Sequence, residues 1–495
     1  MTRTLAIADY LVIVAFFATM VGIGVWFARR QKSSDQFFGG DKSMPWWLAG
    51  ISFYMCTFSA LAFVMYSALA YKFGFVPVTV SWGLVPAIFL GAQFTAVRWR
   101  RVARTSPLEF IERRYGNRMR QGLVWLGLPM RVLDDAMKLL AIGTVVGIGL
   151  GFPLEWAIVV SGIIVIFYTF LGGLKATLVA DFVQFLVLFS VVLTLPFFCL
   201  DRVGGFANFV DKAPEGFFSF TAGKYTWWYM IVLFAISLVN RCTSWSLVQR
   251  YYSTRSESDA KKVGYLVAAL LFVGPPLFFF PAMSARVFMP GLDMGSAEAM
   301  NGVYATVCLA VLPTGMIGMV VAAMFSATMS TLAGDFNAVA SVVTNDFYVR
   351  MVSPGASQRV KLVFARCATG AIGALVIALT FLMRYAQGAD DLLNVANKMF
   401  SVFVPPIAVP IAAGLLVKRI SRKAGLCALL SGIAAGAFGF VIGGWVPGLR
   451  EMTVMTPITF TVTILGLVLG TRFCPDSDEE RRQIEKFFER ANTPT

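Results

Sequence analysis

Histidine is absent from all 495 residues. That removes imidazole proton relays, imidazole metal ligands and imidazole general bases together. Charge is scarce as well: Asp, Glu, Lys and Arg make up 14% of the chain. The longest hydrophilic pieces, 98–121, 201–225 and the segment from Arg472 onward, are too short for a soluble catalytic domain. Neither a phosphate-binding G-x-x-x-x-G-K-[ST] loop nor a G-x-S-x-G elbow occurs. The chain is therefore read as no enzyme, with no catalytic residue and no bound organic cofactor, and an ATP-driven pump would need its motor on another subunit. The seven cysteines, Cys56, Cys199, Cys242, Cys308, Cys367, Cys427 and Cys474, lack metal-ligand spacing and lie mostly in apolar runs, as small core residues do. The first apolar run is long enough to span a bilayer and no small-residue cleavage site follows it, so no cleavable signal peptide is expected.

What is abundant is apolar sequence. The chain is 58% hydrophobic, with mean hydropathy +0.72. Thirteen runs reach membrane-spanning length, at about 7–28, 46–71, 76–97, 122–149, 154–171, 177–200, 226–249, 263–285, 315–345, 362–383, 392–417, 425–444 and 454–471. A fourteenth stretch, 301–313, is too short and is expected as an external re-entrant or surface helix. The expectation is an all-α integral membrane protein of about thirteen transmembrane helices.

The basic excess, a formal net charge of +15, points to lipid headgroups and not to nucleic acid. Of the 42 lysines and arginines, 29 fall in the segments on one side of the thirteen spans and 8 on the other. The positive-inside rule then places the N-terminus outside and the C-terminus inside. A multi-pass protein of the plasma membrane, the bacterial inner membrane, is expected.

Setting aside the first run and the last two leaves two sets of five, at 46–200 and 226–417. An odd number in each set makes the sets inverted in the membrane. The expected division is an N-terminal helix and first cytoplasmic loop at 1–45, two inverted repeats at 46–200 and 226–417, two further helices within 418–471, and a cytoplasmic tail at 472–495. The third member of each set is the longest; 31 residues at ~1.5 Å each exceed the ~30 Å hydrocarbon core, which requires tilt. Inverted repeats are a transporter architecture, with the site where discontinuous helices meet at mid-membrane. The first run of each set carries a polar break, Tyr54-Met55-Cys56-Thr57-Phe58-Ser59 and Asn240-Arg241-Cys242-Thr243-Ser244-Trp245-Ser246.

One run stands out. Within 315–345 lies Met324-Phe325-Ser326-Ala327-Thr328-Met329-Ser330-Thr331. Ala327, Ser330 and Thr331 recur at i, i+3 and i+4, on one helical face. A carbonyl and two hydroxyls are the neutral oxygen ligands a small hard cation takes. Two readings fit: an ion site, or small residues that let helices pack closely.

Several short motifs recur in order and at fitting separations over about 35–430. They are Asp35-Gln36-Phe37-Phe38-Gly39-Gly40 with Met44-Pro45-Trp46-Trp47; Tyr168-Thr169-Phe170-Leu171-Gly172-Gly173-Leu174-Lys175-Ala176 with Asp181 and Gln184; Val248-Gln249-Arg250-Tyr251 with Ser256 and Ala260; and Pro405-Pro406 through Gly414, Lys418-Arg419 and Gly425. Together they resemble the sodium:solute symporter family, which includes sodium–glucose, proline, pantothenate and sialic acid cotransporters. The resemblance implies the LeuT-type inverted five-helix repeat. It also implies a transported sodium between the first and eighth core helices, held by the carbonyls of Met55, Phe58 and Ala327 and the hydroxyls of Ser330 and Thr331. Some members hold a second sodium, which needs hydroxyls at the positions of Ala333 and Gly334. Neither residue has one, so one sodium per substrate is expected, with Asp181 structural or on the ion's exit route.

The substrate is less legible. Arg131, Asp134, Asp135 and Lys138 form one stripe in the span 122–149. Four charges in a membrane helix must face protein or a water-filled cavity. The i,i+4 pairs Arg131–Asp135 and Asp134–Lys138 make a self-compensating network one reading and a substrate group the other. By resemblance, Asp134 and Asn397 fall at sugar-contacting positions, whereas Leu61 and Ala62 replace polar residues of glucose-type pockets. An aspartate suits hydroxyls or an amino group and disfavours a lone carboxylate unless Arg131 or Lys138 turns inward. The candidate substrate residues are Thr57, Trp82, Asp134, Asp135, Ser244, Trp245 and Asn397. The expected activity is sodium-coupled import of a small polar organic solute, a sugar, sugar derivative or amino-bearing compound, by alternating access. A solute sensor on the same fold is the alternative, and a channel lacks a repeated pore filter.

Overall fold

A computed structural model describes residues 6–29, 37–38, 42–57, 60–103, 108–292, 294–295, 297–313, 315–386 and 392–493. Among them there is no strand beyond two isolated bridges, Met44 to Thr254 and Ala222 to Tyr225. The helices are α1 (Ile7–Ala28), α2 (Trp46–Thr57), α3 (Ala60–Phe73), α4 (Val76–Val102), α5 (Asn117–Leu150), α6 (Leu154–Leu171), α7 (Gly173–Val203), α8 (Trp227–Thr243), α9 (Trp245–Tyr252), α10 (Glu257–Phe288), α11 (Ala297–Val311), α12 (Ile317–Val342), α13 (Gln358–Ala386), α14 (Leu392–Leu416), α15 (Ala424–Ile442), α16 (Met452–Phe473) and α17 (Asp478–Asn492). Short helical pieces precede α5 (Glu109–Tyr115) and follow α7 (Phe206–Lys212).

Among the described residues, ten helices are long and apolar enough to cross a membrane, or eleven if α8 and α9, bent by 53°, make one span. The expected run 46–71 is helical on both sides of 58–59, which lie outside the described residues, as α2 and α3. The charged run 122–149 lies within the 34-residue α5. The expected run 177–200 begins earlier, because Gly173 adopts φ +58, a left-handed conformation open to glycine, and separates α6 from α7. The short run 301–313 lies mostly within α11, which buries Val303, Tyr304, Val307 and Cys308.

Burial separates the core from the lipid-facing shell. Of the most apolar window of Ile317–Val352, 94% is buried, against 17% for α1. The helix α12 is therefore the central one, packed against α2, α5, α7 and α13. Its N-terminus is held by Asp9 of α1, whose buried carboxylate accepts from the Gly318 amide at 2.7 Å, the favourable end of the helix dipole for an anion. A Cβ on Gly318 would stand 2.4 Å from the Asp9 carbonyl oxygen, so this contact requires glycine. At the other end of the chain, α17 lays Ile484, Phe487 and Phe488 against the end of α4 and the Glu109–Tyr115 helix.

Candidate functional site

A helix break stands beside α12, between α8 and α9, where Ser244 leaves the helical region with ψ 127°. Next to it lies a cavity of about 170 Å³, the candidate site. The helix α2 contributes Cys56 and Thr57, α5 contributes Arg131, Asp134 and Lys138, the α8–α9 break contributes Asn240, Arg241, Ser244 and Ser246, and α12 contributes Thr331 and Asp335.

Two adjoining rows of α12 have different surroundings. Thr331 and Asp335, one turn apart, open on the cavity. Ser330 and Gly334 face Cys56 and Arg250. The Cys56 thiol donates to the Ser330 carbonyl at 3.4 Å and lies 3.6 Å from the Ser330 hydroxyl. The Thr331 hydroxyl donates to the carbonyls of Thr328 (2.9 Å) and Ala327 (3.3 Å), leaving its lone pairs available. Met55 lies on α2, fully buried and next to Cys56. The oxygens of Met55, Ala327, Ser330 and Thr331 are thus all on buried residues of two packed helices. Phe58, the fifth expected ligand, lies outside the described residues.

The charge stripe is paired, in part as its spacing suggests: the Asp134–Lys138 pair is formed. Lys138 sits among three carboxylates, 2.8 Å from Asp134, 3.1 Å from Asp135 and 2.7 Å from Asp335. The expected Arg131–Asp135 pair is not formed. Arg131 instead donates to the Ser244 hydroxyl at 3.0 Å and stands 3.6 Å from Asp335, with its guanidinium 6.0 Å from the Trp245 ring. Asp335, contributed across the fold by α12, offers Arg131 a second, less buried acceptor and so draws it away from Asp135, which is fully buried and does not border the cavity.

A second buried ion pair lies behind Ser330. Arg250 of α9 and Asp181 of α7 are both fully buried, 3.6 Å apart. Arg250 also donates to the Ser52 hydroxyl (3.0 Å), the Ser246 carbonyl (2.7 Å) and the Cys56 sulfur (3.0 Å), and Ser52 in turn donates to Asp181. A Cβ on Gly334 would lie 3.1 Å from a terminal nitrogen of Arg250 and 3.0 Å from the Cys56 sulfur. The guanidinium therefore fills the space where a side chain at 334 would stand.

Of the remaining expected substrate residues, Thr57 and Ser244 border the cavity. Trp245 is buried against Arg131 and Gly127 in a separate small crevice. Asn397 lines an adjoining cavity of about 100 Å³ and donates to the Tyr229 hydroxyl at 3.4 Å. Trp82 is turned away: it stacks on Phe272 at 5.2 Å and its indole N–H donates to the Phe272 carbonyl. A tryptophan beside an apolar helix buries more area there than in a small polar cavity, and its one donor is satisfied. Asp335, Ser246 and Arg241 border the cavity without having been singled out as substrate residues. The polar break 240–246 was the available signal for Arg241 and Ser246.

The sequence profile of the sodium:solute symporter family matches residues 37–432. The chain is 26% identical to a sodium/sialic acid symporter of Aliivibrio fischeri over 86% of each chain. It is 26% identical to a sodium/glucose cotransporter of Vibrio parahaemolyticus, covering 96% of this chain and 92% of that protein. Its fold matches that of a Na+-coupled sialic acid symporter in a substrate-bound outward-open state with TM-score 0.80 at 20% identity, covering 94% and 98% of the two chains. It matches Mhp1, a nucleobase-cation-symport-1 family transporter, with TM-score 0.57 at 15% identity, covering 92% and 99%. The chain belongs to the sodium:solute symporter family.

Proposed function

We propose that this family member carries one sodium ion with each molecule of a small polar organic solute, by alternating access around the cavity beside α2 and the α8–α9 break. The observation that carries the reading is the adjacency of two unlike surfaces on α12: buried neutral oxygens at Ser330 and Thr331, and the charged Asp335 one turn beyond Thr331, with Thr331 and Asp335 bordering one cavity. A hard monovalent cation suits the first, and a polar solute suits the second. Sodium is ligated by Met55, Ala327, Ser330 and Thr331, with the Phe58 carbonyl. A sugar, sugar derivative or amino-bearing compound contacts Thr57, Asp134, Ser244 and Asn397; Asp135, Trp82 and Trp245 support or border the site without lining the cavity. One sodium per substrate is supported by Ala333 and Gly334, which lack hydroxyls, and by Arg250, which already supplies Asp181 with a cation. A sodium entering the cell gains ~2.3 kcal/mol per 100 mV of membrane potential, part of the accumulation energy.

The same reading takes thirteen transmembrane helices, an outside N-terminus, an inside C-terminus and the bacterial inner membrane. The helix count is supported by α5 and by α2 with α3 taken as one span, which add two to the eleven of simple apolar length. The orientation is supported by the excess of basic residues on one side. A sensor without transport is not favoured. Uptake of labelled sialic acid, glucose and amino acids into proteoliposomes, with an inward sodium gradient and with potassium in its place, tests the proposal. Sodium-dependent accumulation of one of them is expected, and equal uptake in both salts overturns it.

A further inference from the structure

Among the described residues, the central cavity holds one cation that the ion-pair network leaves open. Arg241 stands in the last turn of α8, just before the break at Ser244. Its guanidinium makes no hydrogen bond and no ion pair among the described residues; its electrostatic neighbours are Tyr66, Asp134 and Arg131. Beside it, the side chains of Asn240 and Tyr66 border the same cavity and also lack hydrogen-bond partners among the described residues. The other cations there are engaged, Lys138 by three carboxylates and Arg131 by Asp335 and Ser244. A guanidinium carries five donors in a planar fork, and a carboxylate is an acceptor of matching planar shape.

A second observation concerns the way in. The cavity of about 100 Å³ that adjoins the central one shares Tyr66, Asn240 and Arg241 with it. It also shares Asn397 and Met452 with a third cavity of about 260 Å³. This third cavity is bordered by Lys224, Lys398 and Arg450 and by one acid, Glu451. Concave surfaces of one sign concentrate counter-ions. The route therefore leads from a cationic mouth to an arginine with open donors.

We infer that Arg241, with Asn240 and Tyr66, binds the carboxylate of the solute, and that the substrate class is a small organic acid such as a sugar acid, not a neutral sugar. This rests on the symport reading above. It also gives the coupling a physical cause. Arg131, Lys138 and Arg241 balance Asp134, Asp135 and Asp335, so the empty site is formally neutral. A carboxylate alone would leave it with a negative charge, and a sodium ion at Thr331, on the same cavity, cancels that charge.

The test titrates the purified, detergent-solubilised protein in sodium chloride and in potassium chloride. The probes are N-acetylneuraminate, D-glucuronate and pyruvate, with their uncharged counterparts N-acetylneuraminate methyl ester, D-glucose and methyl pyruvate. Binding is read by calorimetry and by thermal shift. In sodium, at least one acid is expected to bind, its counterpart at least tenfold more weakly. Arg241→Gln should remove that preference and Arg241→Lys should keep part of it, both retaining the thermal shift caused by sodium alone. Binding of none of the acids, binding of an uncharged counterpart as tightly as its acid, or an unchanged preference in Arg241→Gln overturns the inference. If Arg241→Gln yields no folded protein, the acid-to-ester ratio of the wild type and of Arg241→Lys decides. Sodium stabilisation with binding of uncharged solutes alone sinks the carboxylate and leaves the symport reading standing. Absence of any sodium effect in the wild type sinks both.

Discussion

Arg241 and Arg250 lie on opposite arms of the same broken helix and live in opposite circumstances. Arg250 is fully buried and meets Asp181, Ser52, Cys56 and the Ser246 carbonyl. Arg241 borders a cavity and meets no acceptor among the described residues. Both are arginines in an apolar span, which a membrane tolerates only where protein or water surrounds the charge. The difference teaches how to sort such residues. A charge whose donors are all answered by the fold stabilises the fold, and a charge whose donors are left open awaits something from outside.

The largest effect should come from breaking the answered set. Arg250→Met leaves Asp181 buried without its cation, and stranding one member of a buried pair costs about 3–5 kcal/mol. Folded yield, read as the monodisperse peak of a fluorescent fusion, should collapse, whereas Arg241→Gln should keep it near wild type. The reverse pattern would break the comparison. Lys138→Met should behave like Arg250→Met, because it deprives three carboxylates of their shared counter-ion.

Next in size is the change of a group that only partly belongs to each class. Asp134 pairs with Lys138 and also borders the cavity. Its loss leaves Lys138 with Asp135 and Asp335, so Asp134→Asn should fold. Solute affinity should fall about tenfold, ~1.4 kcal/mol, as expected for one polar contact, with sodium affinity little changed. Normal solute affinity in the folded mutant would move Asp134 wholly into the structural class, beside Arg250.

The sodium ligands sharpen the contrast from the neutral side. Ser330→Ala and Thr331→Ala each remove one uncharged oxygen and strand no charge. Expression should be retained while the sodium concentration for half-maximal uptake rises several-fold. Unchanged sodium dependence in both would return this face of α12 to simple packing.

How far the sequence alone reached follows the same division. Local spacing exposed the hydroxyls of α12 and the polar break before α9, because helix period is a property of neighbouring residues; the left-handed turn at Gly173 came only from the structure. Local spacing also exposed the charge stripe. It could not expose the partners, since Asp335 reaches Lys138 from another helix and nothing in the span 122–149 announces it. The direction of Trp82 is hidden for the same reason: the helix carrying Phe272 decides which way it turns. Arg241 lay in plain view inside a motif noted for its polarity, but an arginine with open donors and one with four partners read alike until the fold supplies or withholds those partners.

The smallest effect is expected at the exposed extreme of the series. Arg350, on the segment that continues α12, pairs with Glu112 of the Glu109–Tyr115 helix, at 2.6 Å for one of two hydrogen bonds. Those hydrogen bonds from Arg350, with help from the Arg120 charge and against the opposing effect of partial burial, hold the Glu112 carboxyl below its ordinary range. A depressed folded-state pKa gives stability that is fully present above the unfolded value, about 4.3, and is lost as pH falls through the folded value. Both side chains are about one-third exposed, so salt and solvent screen the pair. Glu112→Gln should therefore lower stability by less than ~1 kcal/mol at pH 7. The gap in melting temperature between mutant and wild type should close as pH drops from about 5 toward 3, and narrow at high salt at any pH. A gap as large as that of Arg250→Met, or one indifferent to salt, would show that Arg350 belongs with the buried, answered arginines and that exposure is the wrong axis on which to rank them.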